Sequence, residues 1–126
     1  MKEKEWQVKW AEMFLKQATD FNDHISLVIC TLFHLQAEND QSKIDENIRV
    51  ISSRNLRMSE IDWNIRNYIQ FSRLYGNEVL ENQQQLMSSI RTLISERQGD
   101  SEEIRKQQFN HNDVIRKAHS DILNMT

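Results

Sequence analysis

Proline is absent from all 126 residues and glycine occurs only twice, at Gly76 and Gly99. Proline removes a backbone donor and clashes with the preceding helical turn, and an interior glycine costs about 1 kcal/mol against alanine. A chain that omits both keeps the 3.6-residue period open nearly end to end. Two isolated glycines also exclude a glycine-rich phosphate loop or a Rossmann turn. Cysteine is just as scarce. With Cys30 alone, an intramolecular disulfide, a thiolate zinc site and Cys-x-x-Cys redox chemistry are all excluded. Cys30 lies in an apolar stretch and is expected to behave as a small buried hydrophobe in a reducing compartment.

Long hydrophobic runs are missing too. The most apolar stretch, residues 25–35, is eleven residues long, well short of the roughly 20 that span a bilayer. The chain opens Met1-Lys2-Glu3-Lys4-Glu5 with no apolar segment behind it, so no secretory leader is expected and a cytoplasmic location is. A strong charge of one sign is likewise lacking. The net charge is −3, made up of −3 over residues 1–41, +2 over 42–76 and −2 over 77–126. Only the middle third can form a local basic patch, so the field that gathers nucleic acid or anionic lipid is absent from the chain as a whole.

What is present is helical periodicity. Phe14, Ala18, Phe21, Ile25, Val28, Leu32 and Leu35 alternate steps of four and three, a coiled-coil-like seam on a first helix expected over residues 3–38. Leu27, Ile29 and Phe33 widen its apolar surface, so that half is expected to be the more deeply buried. Ser42 with Asp45 resembles a capping box opening a second helix with Ile44, Ile48 and Ile51 on one face, ending near Arg54-Asn55. Ser59, with Asp62 three residues on and Met58 and Trp63 as a staple, marks another start. The stripe Ser72, Gly76, Val79, Gln83, Leu86, Ile90 and Leu93 keeps the four-three step through Gly76, which favours a continuous or kinked helix there over a break. Gly99-Asp100-Ser101 closes that segment. Asp100 and Glu103 then cap a last helix with Ile104, Gln108, His111, Ile115, Ala118 and Ile122 on one stripe, flanked by Phe109, Val114, Leu123 and Met125. The expectation is an all-α fold: one domain over residues 1–126, an antiparallel bundle of four or five helices with long first and middle helices.

Catalytic and metal-binding constellations do not assemble from this sequence. The residues three before His24, His34, His111 and His119 are Phe21, Thr31, Gln108 and Arg116, so the Glu-x-x-His pair of a di-metal bundle is missing. His111 and His119, eight apart with Asp121 nearby, are the remaining metal candidates; as polar residues at the edge of a bundle they need no ligand. Neither an enzyme nor a cofactor is therefore expected, and no small-molecule substrate is evident. Trp6 and Trp10, one turn apart, are candidates for anchoring a partner protein or for capping the end of the core. Arg54, Arg57, Arg66 and Arg73, with Trp63 and Tyr68 close by, form the one candidate for binding nucleic acid. Asp45, Glu46, Glu60 and Asp62 in the same stretch can neutralise them. The function these features favour is a non-catalytic helical module that self-associates as an oligomer or docks on a partner protein. The alternative is a nucleic-acid-associated protein using the arginine face in residues 49–73.

Overall fold

The computed structural model describes residues 2–124, with side-chain surroundings given for residues 5–124. Met125, expected on the last helix, lies outside the described residues. Four helices are present: α1 (Lys2–Gln36), α2 (Gln41–Ile69), α3 (Gly76–Glu96) and α4 (Ser101–Leu123). The connections at 37–40, 70–75 and 97–100 are short enough that consecutive helices must run antiparallel. α1 packs on α2 and α4, and α3 packs on the same two, so the helices close into a four-membered ring. The all-α antiparallel bundle expected from the periodicity is what forms.

α1 is the spine of the core. All seven residues of its seam from Phe14 to Leu35 are buried, and Ala11 extends the series one step towards the N-terminus. At 1.5 Å per residue the helix is about 50 Å long, and α2 and α4 flank it. The widened surface around residues 27–33 is less buried than expected. Ile29 is in the core, but Leu27 and Phe33 are exposed, and so is Cys30. Neighbouring helices on two sides cover only part of a helix circumference, so apolar residues off the seam stay in solvent.

α2 departs from the sequence expectation at its centre. It passes without a break through Arg54-Asn55 and Ser59. Ile48, Ile51, Asn55, Met58, Asp62, Ile65 and Ile69 make one buried stripe on alternating steps of three and four. Two polar members, Asn55 and Asp62, mimicked an interruption, although nothing at 54–59 stops the backbone hydrogen-bonding. Its N-cap is Asp40, not Ser42: Asp40 Oδ1 accepts from the Ser42 amide at 2.9 Å. Asp45 instead accepts from Gln41 Nε2 and pairs with Arg97 at the end of α3.

The break comes before Gly76, where continuity was expected. α2 stops at Ile69, and Asp121 of α4 holds the connection: its Oδ2 accepts from Ser72 Oγ at 2.8 Å and from the Leu74 amide at 3.1 Å. Ser72 Oγ in turn accepts from the Tyr75 amide at 3.3 Å. Side-chain oxygens that satisfy backbone amides compete with the helical ladder, and here they engage the Leu74 and Tyr75 amides between the two helices. Gly76 is then the first residue of α3, and a Cβ there would lie 3.0 Å from the Ile69 carbonyl oxygen. Asp121→Ala should cost about 2 kcal/mol by orphaning the buried Ser72 hydroxyl and the Leu74 amide. Urea unfolding measures that loss, and faster hydrogen exchange at Leu74 locates it.

At the opposite end, Arg97 closes α3 in the left-handed conformation with φ 59°. Asp100 caps α4 as expected, accepting from the Glu102 amide at 3.0 Å. Gln36 Oε1 accepts from the Ser101 amide at 2.7 Å and ties the end of α1 to the start of α4. Between them, Gly99 has no room for a side chain: a Cβ would sit 2.9 Å from Leu93 Cβ. Gly99→Ala should therefore destabilise by about 1–2 kcal/mol through overpacking, visible as a lower thermal midpoint with helix content unchanged.

Candidate functional site

Trp6 and Trp10 are partly spent on the bundle itself. Their rings lie 5.4 Å apart, Trp6 meets Phe71 edge-on at 4.9 Å, and Trp10 meets Phe71 at 4.8 Å and Tyr68 at 5.0 Å. The cluster glues the start of α1 to the end of α2, with Trp6 left 42% exposed.

The four candidate arginines do not share a face. Arg57 pairs with Glu60 at 2.8 Å and lines a groove against α1 with Asp20, Asp23 and His24. Arg54 and Arg57 both act on His24. Arg66 lies on the other flank of α2, where its Nε donates to Asp62 at 3.2 Å on the α3 side. Arg73 is in the connection between α2 and α3. In the α1–α2 groove the His24 ring is held below its ordinary pKa, first by burial and then by the two arginines, against the opposing pull of Asp20 and Asp23.

The histidine candidates also separate. His111, expected at the bundle edge, has no exposed surface, and its ring lies 5.0 Å from Phe21 of α1. The Asp121 carboxylate is engaged with the connection after α2, and His119 lines a groove beside Leu15 and Asn22. Among the described residues no group of three or more His, Cys, Asp or Glu could hold a metal ion.

What the sequence did not reveal is a buried polar chain across three helices. Gln83 of α3 is fully buried and donates through Nε2 to Asp62 Oδ1 of α2 at 2.7 Å. Its Oε1 lies 3.1 Å from His111 Nε2 of α4. A carboxylate only accepts, so the amide nitrogen must face Asp62 and the amide oxygen must face the imidazole. His111 therefore carries its proton on Nε2, and Nδ1 is a bare nitrogen, buried with no partner. Asp62 is completed on Oδ2 by Arg66 and, at 3.4 Å, by Gln84. Protonating Nδ1 would create a buried donor with no acceptor, and burial accordingly pushes the His111 pKa from 6.5 down to about 4. With no exposed surface on Gln83 or His111, a solute has no approach to this chain. It sets the mutual register of α2, α3 and α4. The sequence signal was visible, since Gln83 and His111 both occupy stripe positions that otherwise hold apolar residues.

The outside of the bundle carries the chemistry left over. Phe33 is 66% exposed, Trp63 70% and Phe109 78%. On α2, Leu56 and Trp63 are seven residues apart and both point to solvent. Along the α1–α4 seam, Ile29, Cys30, Phe33, Arg105 and Gln108 border a groove of about 550 Å³. No described helix is long and apolar enough to cross a membrane. Comparison with protein-family models, with curated proteins and with solved structures finds no match to this chain.

Proposed function

We propose that this protein is a non-catalytic helical interaction module that docks on a partner protein or on its own copies. The supporting observation is the set of large aromatic side chains left in water by a finished core: Phe33, Trp63 and Phe109 stand on well-formed helices, each two-thirds exposed or more. Scattered apolar residues are ordinary on a protein surface, whereas apolar residues gathered along a helix face or seam mark an interface. Here the Leu56–Trp63 stripe and the α1–α4 seam gather them. Gln83 and the Asp62 carboxylate in the interior are taken up by hydrogen bonds between helices, which directs the search for function to the outer surface.

Two measurements test this reading. Light scattering across a wide concentration range separates self-association from a monomer that awaits a foreign partner. A photo-crosslinking residue at position 63 or 109, introduced in the native cell, should yield a discrete adduct. If both positions yield only uncrosslinked monomer, the module reading fails.

A further inference from the structure

The seam between α1 and α4 is unlike the other faces of the bundle. The α1 residues that line it, from Leu15 through Thr19, Asn22, Ser26 and Cys30 to Phe33, are all uncharged, in a chain where 28% of residues are charged. Across from them the charged lining is cationic, with Arg105 in the upper groove and Arg116 in the lower one. Over residues 105–117, α4 carries Arg105, Lys106, Arg116 and Lys117 against the single carboxylate of Asp113. Asp113 is already committed to Arg116 and Lys117, and no ion pair among the described residues engages Arg105 or Lys106. Of these cations, Arg105 and Arg116 line the grooves, Arg105 without an ion pair among the described residues, beside a neutral, partly apolar floor on a protein of net charge −3.

We propose that this seam is the docking groove for an acidic amphipathic helix of a partner protein, seated as a fifth helix between α1 and α4. The inference rests on the interaction-module reading and deepens it. From Leu15 to Phe33 the seam runs for about 27 Å at 1.5 Å per residue, the length of a five-turn helix. Two open grooves, of about 550 and 350 Å³, lie along it. They are separated by a polar saddle where Gln108 Nε2 donates to Asn22 Oδ1 at 3.0 Å and to Ser26 Oγ at 2.9 Å. Apolar anchors of the incoming helix fall on Phe33 and Ile29 at one end and on Leu15 at the other, and its carboxylates meet Arg105 and Arg116. This is the helix-in-groove mode of recognition, with charge setting partner choice and orientation. A two-fold copy of this chain is the poorer occupant, because an isologous contact would set the cations of α4 against themselves.

Cys30 reports occupancy, since its thiol is exposed in the upper groove. The probe is a synthetic helical peptide of about 18 residues, matched to the seam at 1.5 Å per residue, with leucines at alternating three- and four-residue steps and glutamates elsewhere. A second peptide carries lysines in place of the glutamates. On titration of the full chain, the acidic peptide should shift backbone amide resonances at residues 15–33 and 105–119 and slow alkylation of Cys30 by iodoacetamide. Added salt should weaken its binding. The Arg105→Glu, Arg116→Glu double variant should bind about tenfold more weakly, as expected for two lost and reversed exposed pairs. Both side chains are exposed, so its thermal midpoint should match the parent's. Phe33→Ser, at another exposed residue of the upper groove, should lose binding in the same way. Equal binding by the lysine peptide, no binding by the acidic one, or shifts centred on the Trp6–Phe71 end or the Leu56–Trp63 face would each overturn the proposal. A dimer in which Cys30 is protected without peptide would also overturn it, while leaving the interaction-module reading intact. The cell crosslinking experiment tests that broader reading separately.

Discussion

Gln83→Ala should lower the unfolding free energy by about 3–4 kcal/mol, the sum of a buried cavity and the loss of two interior hydrogen bonds. Gln83 sits between a carboxylate and an imidazole, both inside the bundle. Truncation leaves His111 with a buried Nε2 donor and removes the one partner that Asp62 Oδ1 has among the described residues. Removing one member of a buried polar chain costs more than the chain contributes, because the groups left behind are desolvated and unpaired. Gln83→Leu combined with His111→Phe removes both ends of one link, so its cost should fall below the sum of the two single variants by about 1–2 kcal/mol. Urea unfolding of the four proteins closes the cycle. A Gln83→Ala loss under about 1 kcal/mol, the size of one exposed contact, would show that the chain does not stabilise the native register.

Acid should destabilise the bundle through His111. Its pKa is about 4 in the folded chain against 6.5 for the free side chain. Between those values the unfolded chain takes up a proton that the folded chain refuses, so stability is fully present above pH 6.5 and is lost as pH falls towards 4. At about 1.4 kcal/mol per pKa unit the loss amounts to about 3 kcal/mol. The groups around the ring do not relieve this. Phe21 faces it from α1, Gln83 from α3 separates it from the Asp62 carboxylate of α2, and Arg66 lies beyond Asp62. His24 is lowered in the same direction and adds to the loss with the same sign. Unfolding free energies measured from pH 7 to pH 4 should fall steeply for the parent and for His24→Asn. For His111→Gln the profile should be much flatter, although that variant starts from a lower value. Direct titration of the His111 ring by NMR gives the folded pKa, and a value near 6.5 would remove the basis for the steep profile.

The seam of α1 was legible in the sequence because apolar spacing is local information: every residue from Phe14 to Leu35 on the four-three series is buried. The same logic misplaced two breaks for opposite reasons. Around Asn55 and Ser59, polar residues and a plausible cap looked like a stop, but Asn55 and Asp62 are core positions of one continuous helix. Around Ser72 the stripe looked continuous, yet Asp121, almost fifty residues further on, captures Ser72 and the Leu74 amide between the two helices. A contact supplied from another helix leaves no trace in local spacing.

The candidate site divides along the same line. Of the two fates left open for Trp6 and Trp10, the structure shows the packing one: a cluster with Tyr68 and Phe71 that closes the bundle end, with Trp6 left partly exposed. The arginines between 54 and 73 were adjacent in sequence, but opposite flanks of α2 and a connection distribute them towards α1, α3 and solvent. Which of two flanks a side chain takes depends on where the neighbouring helices pack, and that is decided by all four helices together.

The sequence by itself determined that this chain folds as amphipathic helices in an antiparallel bundle, and which stripe of α1 turns inward. A 3.6-residue period without proline permits nothing else over this length. Tertiary structure alone decided that Asp62, Gln83 and His111 meet, and that Cys30 and Phe33 stay in water beside Arg105. Burial of an apolar stripe is a property of one helix, whereas a hydrogen bond between helices, or an uncovered flank, depends on their mutual register and on how much of each surface its neighbours reach.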